Sequence, residues 1–191
     1  MDLTDPRIAV ITGFSGAGKS TIAQHLVANH GNQIVRAITH TTRPPREGEV
    51  QGQDYHFLDL PTFQEMEKAG NFLETNEYAG NFYATPHFKR LDLGEGQIPL
   101  YVVDMNGALF FKKNHPSIEA FFIYVSPEEQ RRRLIYERGG EDAKLEARLA
   151  HYETEHKVLD QHKDSFHILR NEEPEDFDKV VQHFRSTLQL G

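Results

Sequence analysis

Residues 8–20 read IAVITGFSGAGKS, and this stretch decides the fold. The β-branched and apolar run from Ile8 to Thr12 is typical of a short strand buried in a parallel sheet. A glycine-rich turn follows it, and then Ile22, Leu26 and Val27 recur at helical spacing up to a stop signal at residues 29–32. The stretch therefore predicts a strand, a loop and a helix in direct succession.

The loop itself, residues 13–20, matches the pattern G-x-x-x-x-G-K-[ST] at every fixed position. In this motif, backbone N–H groups surround phosphate oxygens, and the helix that follows points its positive end at the same anion. Lys19 is expected to reach the β- and γ-phosphates of a nucleoside triphosphate, and Ser20 to ligate Mg²⁺. A glycine-rich turn without chemical function is the alternative, which the flanking strand and helix disfavour. The predicted triphosphate-binding residues are Gly13, Ser15, Gly16, Ala17, Gly18, Lys19, Ser20 and Thr21.

Further strands and helices alternate along the chain and predict an α/β fold with a parallel core sheet. Strands are expected at residues 34–39, 98–103, 121–125 and 166–169, with a last helix from Pro174. Short aromatic segments at residues 55–58, 72–74 and 81–83, with a helix at 61–69 between them, suggest a small inserted mixed or antiparallel subdomain. A further helical stretch is expected near residues 86–93. The charged segment 131–156 resembles a helical lid.

Composition restricts the functions that this chain can have. Its 191 residues, 38% of them hydrophobic, suit a single compact domain. The net charge of -8 repels nucleic acid and anionic membrane surfaces, so a bound phosphate needs a local basic site. The chain has no cysteine, and neither a secretion signal nor an apolar run of membrane-spanning length is recognised. A cytoplasmic protein is expected, either monomeric or homodimeric.

A second phosphate-binding stretch is indicated at residues 41–55, where two arginines lie three apart on a proline-stiffened loop. The guanidinium groups of Arg43 and Arg46 suit bidentate binding of a phosphate monoester, and the hydroxyl group of Tyr55 adds a donor. A solvated loop with surface ion pairs is the alternative. The neighbouring P-loop favours the phosphate site.

The chain resembles the guanylate kinases, P-loop enzymes that phosphorylate GMP with ATP. The resemblance rests on the P-loop, on TTRPPREGEVQGQDY at residues 41–55, and on FLE at 72–74 followed by GNFYAT at 80–85. It implies a P-loop three-layer core at about 1–38, 96–126 and 158–191, a GMP-binding insertion at about 39–95, and a lid at about 127–157. It also implies Mg²⁺-dependent phosphoryl transfer from ATP to GMP, and to dGMP.

The same resemblance implies which residues bind the acceptor nucleotide. Arg43, Arg46, Tyr55 and Tyr83 would hold the GMP phosphate, while Thr39, Glu74 and Thr85 would face the guanine. Glu49 in the same motif is also expected among the GMP-binding residues. A carboxylate accepts from the N1–H and the 2-amino group of guanine together, and adenine has no such pair of donors. Taken singly, Glu74 is equally an exposed strand carboxylate, and Thr85 an ordinary strand residue.

Asp104 ends an apolar strand in the manner of a Walker B carboxylate. It would bind Mg²⁺ through water, with Ser20, and lie beside the acceptor. The alternative is a helix cap for a helix starting near Asn106.

Arginines in the charged segment fall where the family's lid supplies cations to the transferring phosphoryl group. Arg138 and Arg148 match better than Arg133, and with Lys19 and Arg43 they form the expected catalytic set. The alternative for these arginines is a helix face of i,i+4 ion pairs such as Glu129 with Arg133. The resemblance also brings Asn171 near the ATP adenine.

Three positions depart from the family pattern, and two other kinds of protein stay open. Val102 stands where the family commonly has a carboxylate, Ala84 where it has glycine, and Arg170 where it has an apolar residue. A kinase with another phosphorylated acceptor is one alternative, and a non-catalytic interaction module is the other, although such modules typically have damaged P-loops. The eleven histidines show no H-E-x-x-H spacing, so no zinc site is expected.

Overall fold

This computed structural model describes residues 7–46, 48–78, 80–115, 117–138 and 143–191, without the side chains of residues 78, 137, 138 and 143–151. The strands are β1 (Ala9–Gly13), β2 (Ile34–Ala37), β3 (His40–Thr41), β4 (His56–Phe57), β5 (Phe72–Tyr78), β6 (Asn81–Pro86), β7 (Ile98–Val102), β8 (Glu119–Tyr124) and β9 (His167–Arg170). The α-helices are α1 (Lys19–His30), α2 (Leu60–Lys68), α3 (Met105–Asn114), α4 (Pro127–Arg138), α5 (Ala143–His162) and α6 (Pro174–Leu188).

The core sheet is parallel and has the strand order β2-β7-β1-β8-β9. β1 lies in its centre, where Val10 pairs with Tyr101 on one side and with Ala120 on the other. A central parallel strand is covered on both faces, which explains its uninterrupted apolar run. The α/β fold expected from the sequence is confirmed.

Helices cover this sheet with the apolar residues that the sequence spacing indicated. α1 buries Ile22 and Leu26, and α6 buries Phe184, whose ring lies 3.9 Å from that of Phe121 in β8. Phe14, which follows β1, packs against Tyr152 of α5 with a ring distance of 4.2 Å. α5 is thereby packed directly against the loop that follows β1.

A second, smaller sheet of four strands has the order β4-β3-β6-β5 and is mixed. β3 pairs in parallel with β4, while β6 pairs antiparallel with β3 and β5. Phe63 of α2 is buried against Phe72 and Phe82. In the antiparallel register, Glu74 lies opposite Thr85, and Asn76 opposite Tyr83. Residues that face each other in this way project from the same side of the sheet.

Several boundaries differ from the sequence expectations. The helix expected near residues 86–93 is only the 3₁₀ turn Phe88–Arg90, because Pro86 still belongs to β6 and pairs with Phe72. β2 ends at Ala37, so Thr39 lies in the connection to β3. α3 begins at Met105 rather than at Asn106. No helix among the described residues is long and apolar enough to cross a membrane.

Candidate active site

The P-loop joins the central strand β1 to α1, and its glycines adopt backbone conformations that other residues avoid. Gly13 has φ +143°, and a Cβ atom there would lie 2.2 Å from the carbonyl oxygen of Ile123. Gly18 has φ +84°, and its Cβ would lie 2.9 Å from Nδ2 of Asn171. The loop is therefore held against β8 and the segment after β9, with space only for glycine.

Lys19 lies beneath this loop at the start of α1. Its Nζ donates hydrogen bonds to the carbonyl oxygens of Gly13 at 2.7 Å and Phe14 at 2.9 Å. Burial lowers the pKa of Lys19 to about 8, although the negative charges of Glu155 and Asp104 act to raise it. The side chain is thus held at the mouth of the loop, where a bound phosphate would meet its ammonium group.

Side chains from outside the motif support the loop from behind. Nε2 of Gln130 donates to the carbonyl oxygen of Ser15 at 3.1 Å, and Nδ2 of Asn171 donates to that of Ala17 at 2.9 Å. Arg133 donates to the carbonyl oxygens of Asn171 at 2.7 Å and Glu172 at 2.9 Å. Arg133 is therefore a structural residue that joins α4 to the segment after β9, and its bond with Glu129 agrees with the helix-face alternative.

A cleft of about 500 Å³ opens between the two sheets. On the core side it is lined by Gly13, Ser15, Lys19 and Ser20 of the P-loop and by Asp104, which follows β7. On the other side it is lined by six further residues that the sequence assigned to the acceptor, namely Thr39, Arg46, Tyr55, Glu74, Tyr83 and Thr85. The two sets come from segments far apart in the chain and meet in one space.

Arg43 and Glu49 lie beside this cleft and bind each other. Nη1 of Arg43 donates to Oε2 of Glu49 and Nη2 to Oε1, both at 2.9 Å. Burial raises the pKa of Glu49, but the bonds from Arg43 and from the backbone N–H of Arg46 outweigh burial and lower it. The guanidinium group of Arg43 also lies 5.4 Å from the ring of Tyr55. The carboxylate thus fixes the fork of Arg43 next to the acceptor residues.

Glu74 and Thr85, which the sequence suggested either as a base-reading pair or as ordinary strand residues, are hydrogen-bonded to each other. Oγ1 of Thr85 donates to Oε1 of Glu74 at 2.9 Å. Burial raises the pKa of Glu74, the bond from Thr85 lowers it, and the nearby charge of Asp104 raises it, so that the net change is upward. Thr85 is buried and Glu74 half-buried. An ordinary exposed strand carboxylate does not have these surroundings.

Asp104 caps α3, as the alternative for this residue expected. Its Oδ1 accepts from the backbone N–H of Gly107 at 2.8 Å, and its Oδ2 accepts from Nδ2 of Asn76 at 3.1 Å. Asp104 also lines the same cleft as Ser20. A carboxylate and a hydroxyl oxygen are hard donors of the kind that Mg²⁺ prefers, so this pair fits the ion. Among the described residues, no group of three His, Asp or Glu side chains could hold a metal by itself.

The cleft has further lining residues that sequence reasoning missed. They are Asn76, Met105, Asn106, Thr154, Glu155 and Val158. The last three belong to α5, whose helical spacing gave no sign that this face of the helix reaches the P-loop. Val102 and Ala84, two of the departures from the family pattern, line the cleft as well. Arg170, the third departure, lies over the ring of Tyr124 at 5.0 Å and pairs with Glu172.

Three further predicted residues are Asn171, Arg138 and Arg148. Asn171 is buried and binds the P-loop backbone, so its expected place near the adenine stays a prediction. The backbone of Arg138 belongs to α4 and that of Arg148 to α5, but their side chains lie outside the described part of the molecule.

Known proteins with similar sequences and structures agree on one family. The family model described as guanylate kinase matches residues 5–190. The guanylate kinase of Thermus thermophilus is 38% identical over 153 residues, which cover 78% of this chain and 68% of the relative. That of Wolbachia pipientis is 34% identical over 184 residues, covering 95% and 88%. The crystal structure of guanylate kinase from Anaplasma phagocytophilum has a TM-score of 0.71 at 28% identity, covering 96% of this chain and 85% of the other.

Proposed function

The chain belongs to the guanylate kinase family, and we infer that it transfers the γ-phosphoryl group of ATP to GMP, giving ADP and GDP. The observation that carries this inference is the single cleft that the P-loop shares with the acceptor residues. A phosphoryl transfer between two nucleotides requires both phosphate groups to lie in one space from which water is excluded.

On the donor side, we assign the triphosphate to the P-loop. Its backbone N–H groups and the helix α1 surround the phosphates, and the ammonium group of Lys19 neutralises charge on the β- and γ-oxygens. The hydrogen bonds from Gln130 and Asn171 to the loop carbonyls support this assignment. A loop that is already fixed needs little rearrangement when it binds the phosphates. Asn171 is assigned to the adenine side.

On the acceptor side, we assign the GMP phosphate to Arg43, Arg46, Tyr55 and Tyr83, with Glu49 orienting Arg43. The base is assigned to Thr39, Glu74 and Thr85. The hydrogen bond between Thr85 and Glu74 supports this, since it orients a carboxylate that can accept from both guanine donors. AMP would not supply that half-buried carboxylate with the pair of donors that guanine offers, which disfavours adenine.

The reaction requires no general base. A phosphate oxygen of GMP is already an anionic nucleophile; it forms the new bond to the γ-phosphorus while the bond from that phosphorus to the β–γ bridging oxygen breaks, and ADP leaves with the electron pair. Ser20 and Asp104 are the residues that would hold Mg²⁺, which when bound neutralises charge on the donor phosphates. We assign Arg138 and Arg148 to the transferred group. We also assign residues 127–157 to a lid and residues 39–95 to the insertion that binds the acceptor.

An assay of acceptor specificity tests the proposal. ADP formation from Mg-ATP is measured with GMP, dGMP, AMP, CMP, UMP or no acceptor, each at the same concentration. We expect turnover with GMP and dGMP only. Turnover with a different acceptor would replace GMP as the substrate, and nucleotide binding without any turnover would favour a non-catalytic interaction module.

A further inference from the structure

Asn76 is a residue of the cleft to which no function has been assigned above. It lies two positions after Glu74 in β5 and opposite Tyr83 of β6, so that all three side chains project from the same face of the smaller sheet. All three also line the cleft. Asn76 therefore lies on the face of the smaller sheet that carries the proposed acceptor residues Glu74 and Tyr83.

The side chain of Asn76 makes a bond across the cleft to the core. Its Nδ2 donates to Oδ2 of Asp104 at 3.1 Å, which joins the smaller sheet to the end of β7 in the core sheet. Within the described residues, Oδ1 of Asn76 is buried and has no donor. The orientation of the amide is thus determined by Asp104, because the reverse orientation would bring the amide oxygen against a carboxylate.

Nothing local favours asparagine at this position. Asparagine is depleted in strands, and a buried amide oxygen without a partner is unfavourable. The compensation must come from the other half of the amide, which is the bond to Asp104. Departures of this kind from local rules are expected where a residue serves a site.

The bond completes the fixation of the Asp104 carboxylate. Oδ1 accepts from the backbone N–H of Gly107, and Oδ2 accepts from Nδ2 of Asn76. The carboxylate group therefore cannot rotate about its Cβ–Cγ bond without breaking these hydrogen bonds. Val102, which precedes Asp104 on the same side of the cleft, offers no polar atom. Asp104 is therefore the carboxylate at the end of β7 that lines the cleft, and its orientation depends on the smaller sheet.

We propose that Asn76 is a positioning residue of the phosphoryl transfer: it orients Asp104 and thereby aligns the acceptor-binding sheet with the core. The proposal rests on the proposed function, because it assigns to Asp104 a place in the reaction. Asn76 acts through Asp104 and not on the nucleotide, so its removal has an effect only while Asp104 is present.

A double-mutant cycle tests this dependence. We compare the wild type, Asn76→Ala, Asp104→Ala and the double variant by kcat and KM for GMP, and we measure GMP binding calorimetrically without ATP or metal. Asn76→Ala is expected to lower kcat about tenfold, the usual effect of losing a hydrogen bond to a charged group. Its GMP affinity should change less than twofold. In the Asp104→Ala background, the same substitution should lower kcat by less than twofold.

Two further variants separate positioning from a general disturbance of β5. Asn76→Asp keeps the shape of the side chain but has no donor, and it should lower kcat at least as much as Asn76→Ala. Thr75→Ala is the matched control, since Thr75 lies on the opposite face of β5, where its hydroxyl binds Glu67, and it should retain full activity. In ¹⁵N-labelled protein, the side-chain amide signal of Asn76 should shift on Asp104→Ala even without substrate.

The outcomes distinguish this proposal from the function on which it rests. The positioning role would be overturned if the two single-variant losses of kcat multiplied in the double variant. It would also be overturned if Asn76→Ala kept full activity, and in both cases the enzyme would remain a guanylate kinase. A wild type without turnover of GMP would overturn the proposed function instead, and an unshifted Asn76 amide signal would then overturn the bond to Asp104 as well.

Discussion

Arg43 and Glu49 form a bidentate ion pair, with both of its N–O distances at 2.9 Å. Three-quarters or more of each side chain is shielded from solvent, with 11% of Arg43 and 19% of Glu49 exposed. Nη1 of Arg43 also donates to the carbonyl oxygen of Pro44 at 2.7 Å. Both terminal nitrogens of Arg43 are thus engaged before any nucleotide binds, which fixes the guanidinium plane on a loop without regular structure.

Glu49→Gln should raise the KM for GMP about tenfold, because an unfixed Arg43 must lose side-chain freedom when it binds the phosphate. The KM for ATP should not change, since the pair lies on the acceptor side. Steady-state kinetics with either substrate varied measures both effects. Glu65→Gln in α2 is the control, because Glu65 is exposed. A tighter binding of GMP by the Glu49 variant would mean instead that Glu49 competes with the phosphate for Arg43.

Lys19→Met should lower kcat on the order of a thousandfold, which is typical of losing a fixed charge that stabilises the transition state. The affinity for GMP should remain within twofold, because Lys19 is assigned to the donor phosphates. Turnover and calorimetric GMP binding are compared with those of Lys113→Met, which removes an exposed lysine in the last turn of α3. Equal turnover in the two variants would remove Lys19 from the mechanism.

The core of the fold was predictable because its signals are local. Positions 8–30 contain, in order, an apolar run, the P-loop and a stretch with helical spacing. The apolar run corresponds to β1 and the helical spacing to α1, and the P-loop connects the two. The helix expected near residues 86–93 was wrong for a tertiary reason. Pro86 is the last residue of β6 and pairs with Phe72, so the strand takes the start of the segment and leaves only a single 3₁₀ turn.

The lining of the cleft was predictable only where its residues share a motif with the family. The cleft contains Glu74, Thr85 and Asp104 as expected. Asn76 and Asp104, in contrast, are 28 positions apart, one in the smaller sheet and the other at the N-cap of α3 after β7, so no spacing indicates their bond. Glu155 of α5 was missed for the same reason, because the approach of that helix to the P-loop depends on the packing of Tyr152 against Phe14.

Glu74→Gln should lower kcat/KM for GMP about a hundredfold, because the amide replaces one acceptor oxygen by a donor that opposes those of guanine. The affinity for AMP, which is not expected to be a substrate, should not fall in parallel, so the selectivity for GMP decreases. Turnover of GMP and binding of both nucleotides are measured with the same enzyme preparation. Glu77→Gln is the control, since it lies on the same strand and is exposed. A parallel fall with both nucleotides would indicate a damaged sheet instead of lost base recognition.

His40 should make the free energy of unfolding depend on pH between about 4 and 6.5. Burial, assisted by the nearby charge of His56, lowers the pKa of His40 to about 4. In this window His40 binds a proton in the unfolded chain but not in the folded chain. Its contribution to the free energy of unfolding is therefore fully present above the pKa that His40 has in the unfolded chain, and it is lost as the pH falls towards 4. The loss should stay below about 3 kcal/mol, the value that corresponds to the whole change in pKa without screening by solvent.

Urea unfolding at several pH values, compared between the wild type and His40→Phe, isolates this contribution. The phenylalanine keeps an aromatic ring beside Phe72, which lies 5.0 Å from the His40 ring. The variant should lose less stability between pH 6.5 and 4 than the wild type does. His162→Gln, at an exposed position, should follow the wild type. Parallel curves for wild type and His40→Phe would contradict a buried neutral histidine.

Gly13→Ala should destabilise the protein far more than an alanine at another glycine of positive φ. At Gly96, which has φ +74° and nothing within 4 Å of a Cβ atom, alanine incurs only the conformational cost of about 1 kcal/mol. At Gly13 the same methyl group would also lie 2.2 Å from the carbonyl oxygen of Ile123, in the backbone of a central strand that cannot move aside. The added overlap should bring the total to more than about 3 kcal/mol. Urea unfolding of the two variants measures the difference, and equal losses would mean that the P-loop does not approach β8 as closely as it does here.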